Sequence, residues 1–248
     1  MKKNLCRALA ANEYPGRGIC VGLDADGKRA MIAYWIMGRS ANSRNRVFEA
    51  LPDGSGIRTV AADPSKMEDP HLIIYAPVRT LNGTSIVTNG DQTDTIYEYI
   101  EAGAYPGYSF EAALASRTFE DDAPNYTPRI SAVVDMHAGS YKMAILKAMD
   151  GNPECLLRQV FDVPFPAAGE GHMITTYQKN GSPLPSFAGE PIRVGVEDRD
   201  PRAWADRIWQ ALNADNRVSL FVRAVQLSDG SYEDVIVNQY SSVKEKAL

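Results

Sequence analysis

Residues 30–48 read AMIAYWIMGRSANSRNRVF, an unbroken apolar run followed by a polar segment that holds three arginines. Such a run is typical of a strand covered on both faces, and Gly38 gives the chain freedom to turn at its end. In residues 39–46, arginine offers a fixed fork of donors that matches phosphate oxygens, while serine and asparagine add neutral hydrogen bonds. We therefore expect a buried strand that carries an anion-binding loop, although a solvated polar loop is the simpler alternative.

The composition is that of an ordinary globular protein. Hydrophobic residues make up 44% and charged residues 23% of the 248 positions, which argues against disorder. We find no repeat, low-complexity tract or linker, and we expect a single domain over residues 1–248. The formal net charge of −5 argues against nucleic acid or a membrane surface as a partner. A bound anion therefore requires a local cluster of arginines.

Cysteine and histidine spacing argues against a metal site. Three cysteines and three histidines are scattered along the chain, with no spacing typical of a disulfide framework or a zinc site. The first residues, MKKNLCRALAANEY, contain an apolar region that is too short for a signal peptide. No other stretch approaches the ~18 apolar residues of a membrane span. We expect a cytoplasmic protein.

Turn signals divide the rest of the chain into blocks of strands and helices. Residues 19–23 and 29–37 form a predicted hairpin around the turn at 24–27. Further strands are predicted at residues 57–62, 72–79, 84–89, 129–136, 141–149, 155–163, 217–227 and 232–240. Helices are predicted at residues 4–12, 92–102 and 110–116 and after Asp200 as N-cap with Pro201 as first helical residue, and residues 164–191, rich in Gly and Pro, are predicted to form a loop. About ten strands and four helices in blocks indicate an α+β fold with two stacked antiparallel sheets.

Two short segments place polar groups at the ends of predicted strands. In residues 14–18, YPGRG, glycines on both sides of Arg17 allow a ligand to approach closely, and an ordinary turn is the alternative. Residues 87–94, VTNGDQTD, end a strand and begin a helix. Asn89 or Asp91 either caps that helix or helps to hold a polar heterocycle and position a proton acceptor.

Two later segments are rich in proline. In residues 119–130, FEDDAPNYTPRI, two prolines restrict the backbone, which suits aiming Tyr126 and Arg129 at a fixed point. The acidic run at residues 120–122 is expected to be a solvated face. Residues 175–191 form either a lid or an exposed surface. No P-loop, dinucleotide fingerprint or HExxH or GxSxG element occurs, so the residues alone predict an α+β domain with a small-anion site.

Six segments in this order resemble the archaeal-type IMP cyclohydrolase family. They are YPGRGI, GRSANSRNRVF, VTNGDQTDTI, DAPNYTPRIS, YKMAILK and GSPLPSFAGEP, within residues 14–197. The resemblance implies a four-layer αββα fold similar to that of N-terminal-nucleophile hydrolases. It also implies the last step of purine synthesis, closure of 5-formamidoimidazole-4-carboxamide ribotide to IMP with loss of water. The partners would be this ribotide and IMP, and a homo-oligomer is one option that the sequence leaves open.

The reaction that the resemblance implies assigns roles to the candidate residues. Donors for the developing charge on the formyl oxygen would be Arg17, Tyr126 and Asn89. Asp91 is our candidate for the base and Tyr126 for the acid, with Glu190 as the second choice of base. Residues that would bind the ribotide and its phosphate are Arg39, Ser40, Asn42, Ser43, Arg44, Gln92 and Arg129. Closure within one molecule needs positioning and charge stabilisation, so no metal or organic cofactor is expected.

Two other classes of protein remain as alternatives. The hydrolase relatives use a Ser, Thr or Cys at a freed N-terminus as nucleophile. Here Met1 is followed by Lys2, and only cleavage before Cys20 would produce such a nucleophile. A cysteine on an apolar strand is more often part of a core. A non-catalytic purine-nucleotide-binding protein would keep the arginine segment and turn over nothing.

Overall fold

The computed structural model describes residues 2–67, 74–103 and 106–240. The strands in these ranges are β1 Lys3–Asn4, β2 Gly18–Leu23, β3 Arg29–Met37, β4 Val47–Ala50, β5 Ile57–Val60, β6 Val78–Leu81, β7 Thr84–Thr88, β8 Arg129–Asp135, β9 Ser140–Met149, β10 Asn152–Pro164, β11 Glu170–Thr175, β12 Ile192–Gly195, β13 Arg217–Gln226 and β14 Tyr232–Asn238. The helices are α1 Leu5–Ala10, α2 Ala41–Arg44, α3 Gln92–Glu101, α4 Pro106–Ala115 and α5 Pro201–Ala211, with a 3-10 helix at Pro64–Lys66.

The strands form two sheets of seven. The first sheet has the order β1-β12-β11-β2-β3-β13-β14, and the second has the order β10-β9-β8-β7-β6-β5-β4. Neighbouring strands are antiparallel except for the parallel pair β1 and β12. The predicted hairpin forms β2 and β3 near the middle of the first sheet, with Gly18 opposite Trp35. The prediction of an α+β fold with two antiparallel sheets is therefore confirmed.

Three apolar clusters hold these elements together. The first contains side chains of both sheets, such as Ile32 of β3 and Ile145 of β9. The second joins the opposite face of the first sheet to α1 and α5, where Trp204 is 1% exposed. The third joins the second sheet to α3 and α4 through residues such as Phe110. Burial of each large side chain stabilises the fold by about 1.5–3 kcal/mol.

Helix ends follow the capping residues that the sequence contains. The Asn4 side chain accepts a hydrogen bond from the Arg7 N–H at 2.9 Å, so α1 begins at Leu5. The Asp200 carboxylate accepts from two N–H groups of α5, and Pro201 is the first helical residue, as predicted. In the described part of the chain, no helix combines the length and the apolar character needed to cross a membrane.

Two predicted loops contain regular structure. Residues 164–191 were predicted to be a loop, yet β11 lies within them and pairs with β2. Gly171 and His172 interrupt the apolar pattern of β11, and its partner is distant in sequence. The arginine segment contains the single turn α2, capped by Ser40. Part of the strand predicted at residues 72–79 lies outside the described residues, and β6 begins only at Val78.

Candidate active site

A buried ion pair links the two sheets at one end. The Arg17 guanidinium, just before β2, donates through Nη2 to both carboxylate oxygens of Glu120, at 2.7 and 2.9 Å. Arg17 is 9% and Glu120 6% exposed. The Nε of Arg17 is buried and has no hydrogen-bond partner among the described residues. Because an unpaired buried N–H is costly, this donor is suited to a ligand.

The backbone on either side of the pair is held by short contacts. The Arg17 N–H donates to Thr176 Oγ1 at 3.1 Å, and the Thr176 N–H donates to the Arg17 carbonyl at 2.9 Å. Gly16 has φ +73°, and a Cβ there would lie 2.5 Å from the Tyr177 ring. Only glycine therefore allows this approach. On the other side, the Glu120 N–H donates to the Thr127 carbonyl at 2.9 Å.

Burial and pairing change the proton affinities of both groups. Burial is the largest influence and works to lower the pKa of Arg17. The Glu120 carboxylate and the hydroxyls of Tyr177, Tyr75 and Tyr34 together outweigh it, so that the pKa is raised and the guanidinium stays charged. Burial raises the pKa of Glu120, while Arg17 and Arg129 oppose the change. Glu120 is therefore a stronger base than an exposed glutamate.

A pair of tyrosines lies beside this ion pair. The hydroxyls of Tyr34, on β3, and Tyr75 are 2.8 Å apart. Burial raises the pKa of Tyr34, and the neighbouring Tyr75 adds to the increase, whereas Arg17 and Arg46 act against it. These opposing charges place Tyr34 within electrostatic reach of both arginines. Arg46 is 2% exposed and donates from Nε to the Ser43 carbonyl at 2.9 Å.

A second hydrogen-bonded chain runs through the loop before β8. The carboxylate of Asp122 accepts from the Thr127 N–H at 2.6 Å and from its Oγ1 at 2.5 Å. Thr127 Oγ1 is 2.6 Å from the Tyr177 hydroxyl. Burial raises the pKa of Tyr177 to about 12, against the effect of the Arg17 charge.

The structure places Asn89 and Gln92 in a network of their own. Asn89 Oδ1 accepts from the Ile130 N–H at 2.8 Å and from Gln92 Nε2 at 3.1 Å. Its Nδ2 donates to the Pro128 carbonyl at 2.9 Å. Gln92 Oε1 accepts from Arg129 at 2.7 Å. Two of these contacts join Asn89, at the end of β7, to the start of β8, and the third joins it to α3.

Asp91 is engaged by two arginines. Its carboxylate oxygens lie 2.8 Å from Arg129 and 2.9 Å from Arg117. Burial opposes ionisation, but these two cations prevail and lower the pKa of Asp91. Asp91 holds the N-cap position of α3 without a side-chain capping bond. This environment makes Asp91 a weak base and favours a role in positioning Arg129, which also acts on Glu120.

Arg39 and Arg44, both in the polar segment of residues 39–46, contact different parts of the protein. Arg39 donates to Asn180 Oδ1 at 2.8 Å and to the Gly181 carbonyl at 2.9 Å, and it lies over the Tyr14 ring. Arg44 donates from Nε to the Gly38 carbonyl at 2.9 Å and from Nη2 to Asn216 at 3.2 Å. The two guanidiniums therefore have different neighbours.

A cavity of about 650 Å³ opens beside α2. Its lining residues are Ala41, Asn42, Arg44, Asn45, Ala62, Asp63, Ser65, Lys66, Met67 and Tyr240. Ser40 and Ser43 complete α2 through a reciprocal capping box, with both N–H to Oγ distances at 3.1 Å. They therefore shape the wall that carries Arg44.

Tyr126 and Glu190 lie in the two proline-rich segments. Tyr126 is half-buried with φ +42°, and its ring packs edge-on against Phe119 at 5.8 Å between centroids. Tyr126 precedes Thr127 and so shares a loop with Glu120. Glu190 is exposed in the segment between β11 and β12.

The prediction that residues 120–122 form a solvated face is wrong for Glu120. A buried arginine requires a counter-charge, but the sequence shows neither that Arg17 is buried nor which acidic residue pairs with it. The hydroxyls of Tyr34, Tyr75 and Tyr177 also form part of this site without having been predicted from the sequence. Their positions on apolar or proline-rich segments gave no periodic pattern to distinguish them from core residues.

Two further observations concern a cysteine nucleophile and a metal site. Cys20 is fully buried within β2, and burial raises the pKa of its thiol, which disfavours a nucleophilic thiolate. Within the described ranges, no group of three or more His, Cys, Asp or Glu side chains is arranged to hold a metal ion.

Fold and site together define an α+β protein whose two antiparallel sheets are linked at one end by a buried ion pair beside tyrosine hydroxyls. The chain belongs to the family of IMP cyclohydrolase-like proteins, whose model matches residues 14–231. It is 30% identical over 176 residues to the IMP cyclohydrolase of Methanothrix thermoacetophila, covering 71% of this chain and 80% of the relative. The IMP cyclohydrolases of Methanocella arvoryzae and Methanopyrus kandleri are each 28% identical, covering 60% and 66% of this chain and 74% and 75% of those relatives.

Proposed function

We propose that this protein is an IMP cyclohydrolase, an enzyme that closes 5-formamidoimidazole-4-carboxamide ribotide to IMP with loss of water. The observation that carries the chemistry is the buried pair of Arg17 and Glu120, in which one donor has no partner among the described residues. Family membership supports the reaction, and the ion pair supplies the two functions that the reaction needs. These functions are a base and a donor to a developing negative oxygen.

In the proposed mechanism, the carboxamide nitrogen of the substrate attacks its own formyl carbon. Glu120 removes a proton from that nitrogen as the new C–N bond forms. Arg17 donates a hydrogen bond to the formyl oxygen as it gains negative charge, which contributes about 10²–10³ in rate. Since both reacting groups belong to one molecule, the protein has to fix only their rotamers.

Water then leaves the tetrahedral intermediate. Glu120 returns its proton to the former formyl oxygen, and Tyr126 donates a hydrogen bond to it. Glu120, ionised again, then accepts the hydrogen of the formamido nitrogen and passes it to the new hydroxyl group. The C–O bond breaks, the oxygen leaves as water, and the formamido nitrogen forms the C=N bond of the purine ring. Tyr126 is suited to this part because it shares the loop of Glu120 and Thr127. Asn89 and Asp91 support the site through Gln92 and Arg129, and Glu190 is left without a part in the reaction.

We propose that the ribotide phosphate binds in the cavity beside α2. Arg44 supplies a cation on its wall, where the second cation, Lys66, is paired with Asp63 at 2.9 Å. Asn42 adds a neutral donor, and the volume of about 650 Å³ accommodates a ribose phosphate. Ser43 connects this wall to Arg46, whose charge acts on Tyr34 beside the ion pair. Arg39, with Asn180 and Gly181 as partners, holds the neighbouring segment in this proposal.

We also propose that the two sheets and their helices form the four-layer αββα arrangement of one domain. Support comes from the three apolar clusters, of which one spans both sheets and two join each sheet to a pair of helices. A single family match over residues 14–231 is consistent with this proposal.

Conversion of the formamido ribotide by the purified protein tests the proposed function. We expect IMP to form, detected by ultraviolet absorbance, in the presence of a chelator and without folate or a second protein. Formation of IMP at no more than the uncatalysed rate would contradict the function. Binding of IMP without turnover would instead support the non-catalytic alternative.

A further inference from the structure

The direction of hydrogen bonding in the chain from Asp122 to Tyr177 is fixed by its acidic end. An ionised carboxylate only accepts hydrogen bonds, so Thr127 must give its single hydroxyl hydrogen to Asp122 at 2.5 Å. The Thr127 oxygen can then only accept in its 2.6 Å contact with Tyr177. The hydrogen of Tyr177 therefore points toward Thr127, and the phenol oxygen presents only lone pairs elsewhere.

The same phenol stands next to the proposed catalytic pair. Its ring is held against Gly16, directly before Arg17. Thr127, which receives its hydrogen, binds the backbone of Glu120 through its carbonyl. Because the pKa of Tyr177 is raised to about 12, the phenol keeps its hydrogen at physiological pH. Tyr177 is thus a neutral acceptor with a fixed orientation beside Arg17 and Glu120.

We propose that Tyr177 is a specificity residue that accepts the N–H of the substrate carboxamide, oriented as an acceptor by Thr127 and Asp122. The inference rests on the proposed function. The carboxamide nitrogen becomes N1 of the purine ring, and N1 of IMP still carries a hydrogen. N1 of AMP carries a lone pair instead, which would face the lone pairs of Tyr177. The hydrogen-bonded series of Asp122, Thr127 and Tyr177 therefore favours a purine ring with a donor at N1 over one with an acceptor at N1.

The substitution Asp122→Asn tests the direction of the chain without removing any of its members. The amide oxygen can still accept from the Thr127 N–H, as Oδ1 of Asp122 does at 2.6 Å. The amide nitrogen then donates to Thr127 Oγ1, which must pass its own hydrogen to Tyr177. The phenol hydrogen is released and can turn toward the ligand, so that Tyr177 becomes a donor for N1 of AMP.

Calorimetric affinities of IMP and AMP for the full-length protein provide the measurement. We expect Asp122→Asn to weaken the binding of IMP and to strengthen the binding of AMP. The ratio of IMP affinity to AMP affinity should therefore fall at least tenfold. Tyr177→Phe should weaken the binding of IMP. It should leave the binding of AMP unchanged or make it tighter, because it removes the lone pairs that face the lone pair on N1 of AMP. Thr127→Ser keeps the hydroxyl and should retain the wild-type ratio, whereas Thr127→Val should lower it.

The variants separate this inference from both a folding defect and the proposed function. If Asp122→Asn does not fold, as judged by circular dichroism, Tyr177→Phe and the Thr127 pair carry the test. A ratio unchanged in Tyr177→Phe and in Thr127→Val would overturn the inference. Equal losses for IMP and AMP in these variants would also overturn it, because they would indicate a structural role alone. Failure of the wild-type protein to produce IMP would contradict the proposed function instead.

Discussion

The carboxylate of Glu120 is buried against one guanidinium, and this environment sets its proton affinity. Burial disfavours the ionised form and raises the pKa above the ordinary value of 4.5, although Arg17 and Arg129 act in the opposite direction. The proposed base has to be deprotonated to act. For the wild-type enzyme, kcat/KM should therefore fall as pH is lowered, along a limb whose apparent pKa lies above 4.5.

Glu120→Gln removes the base while leaving an acceptor for Arg17. We expect turnover to fall by about 10²–10⁴ and the acidic limb of the rate profile to disappear. Glu154→Gln, at an exposed position of β10, is the matched control and should behave as the wild type. Normal turnover in Glu120→Gln, measured as IMP formation, would exclude Glu120 as the base.

A second test concerns the hydroxyl of Tyr126 and its proposed part in the loss of water. Tyr126→Phe keeps the edge-on ring contact with Phe119 and removes only the proposed donor to the departing oxygen. Turnover should fall by about 10²–10⁴ with little change in IMP affinity. Tyr99→Phe, 40% exposed on α3, is the control. Near-normal turnover would remove Tyr126 from the chemistry and leave the function itself intact.

Individual site residues differ in how far the sequence reveals them. Arg17 could be selected because glycines flank it, and a glycine with φ +73° does allow its close packing. Glu120 could not, because it opens a run of three acidic residues of which Asp121 is exposed. Glu120 differs from Asp121 in its contact with Arg17, which is 103 residues away in sequence. No local pattern encodes a contact at that separation.

Among the elements, α2 shows how a short helix can support a binding wall. Four residues make a single turn, which is not stable alone. Here the capping box of Ser40 and Ser43 closes its start. Arg44 ties its end to Gly38 and Asn216. The polar residues that predicted an anion-binding loop thus also determine the conformation of that loop.

Arg44→Ala should weaken IMP binding at least tenfold, which corresponds to about 1.4 kcal/mol. The physical reason is loss of one of the two cations on the wall of the proposed phosphate cavity, the other being Lys66 in its pair with Asp63. Asn216→Ala is the matched control, because it removes a partner of Arg44 while keeping the charge. Calorimetry with IMP gives the comparison. Equal losses in both variants would assign Arg44 a structural role only.

Prediction of the elements depended on how continuous their apolar patterns are. The span of β3, Arg29–Met37, matches the predicted range because eight successive buried residues leave little ambiguity. β11 was missed because it lies among glycines and prolines and gains its strand conformation from pairing with β2 and β12. Thr176 and Tyr177, which follow β11 and contact the site, were therefore predicted only as part of a lid or an exposed surface at residues 175–191.

Across the whole molecule, Arg223 joins the two sheets. Arg223 lies on β13 with its side chain fully buried, and it pairs with Asp234 of β14 at 2.7 Å. It also donates to Ser55, in the turn between β4 and β5, and to Thr80 on β6. Residues of the first sheet are thereby tied to residues of the second through one guanidinium. Because each N–H group of the Arg223 guanidinium points in a fixed direction, its hydrogen bonds also fix how the two sheets align.

Arg223→Met should lower the free energy of unfolding by about 3 kcal/mol, because Asp234 and the part-buried oxygens of Ser55 and Thr80 all lose their charged donor. Asp234 is 27% exposed, so water compensates part of the loss. Urea denaturation provides the measurement, and Arg58→Met serves as the control. Arg58 is 45% exposed in its pair with Glu49, so its removal should cost less than about 1 kcal/mol. Adding Asp234→Leu to Arg223→Met should recover stability, since the unpaired charge is then removed. Equal losses for Arg223→Met and Arg58→Met would mean that the two sheets are held together by apolar contacts alone.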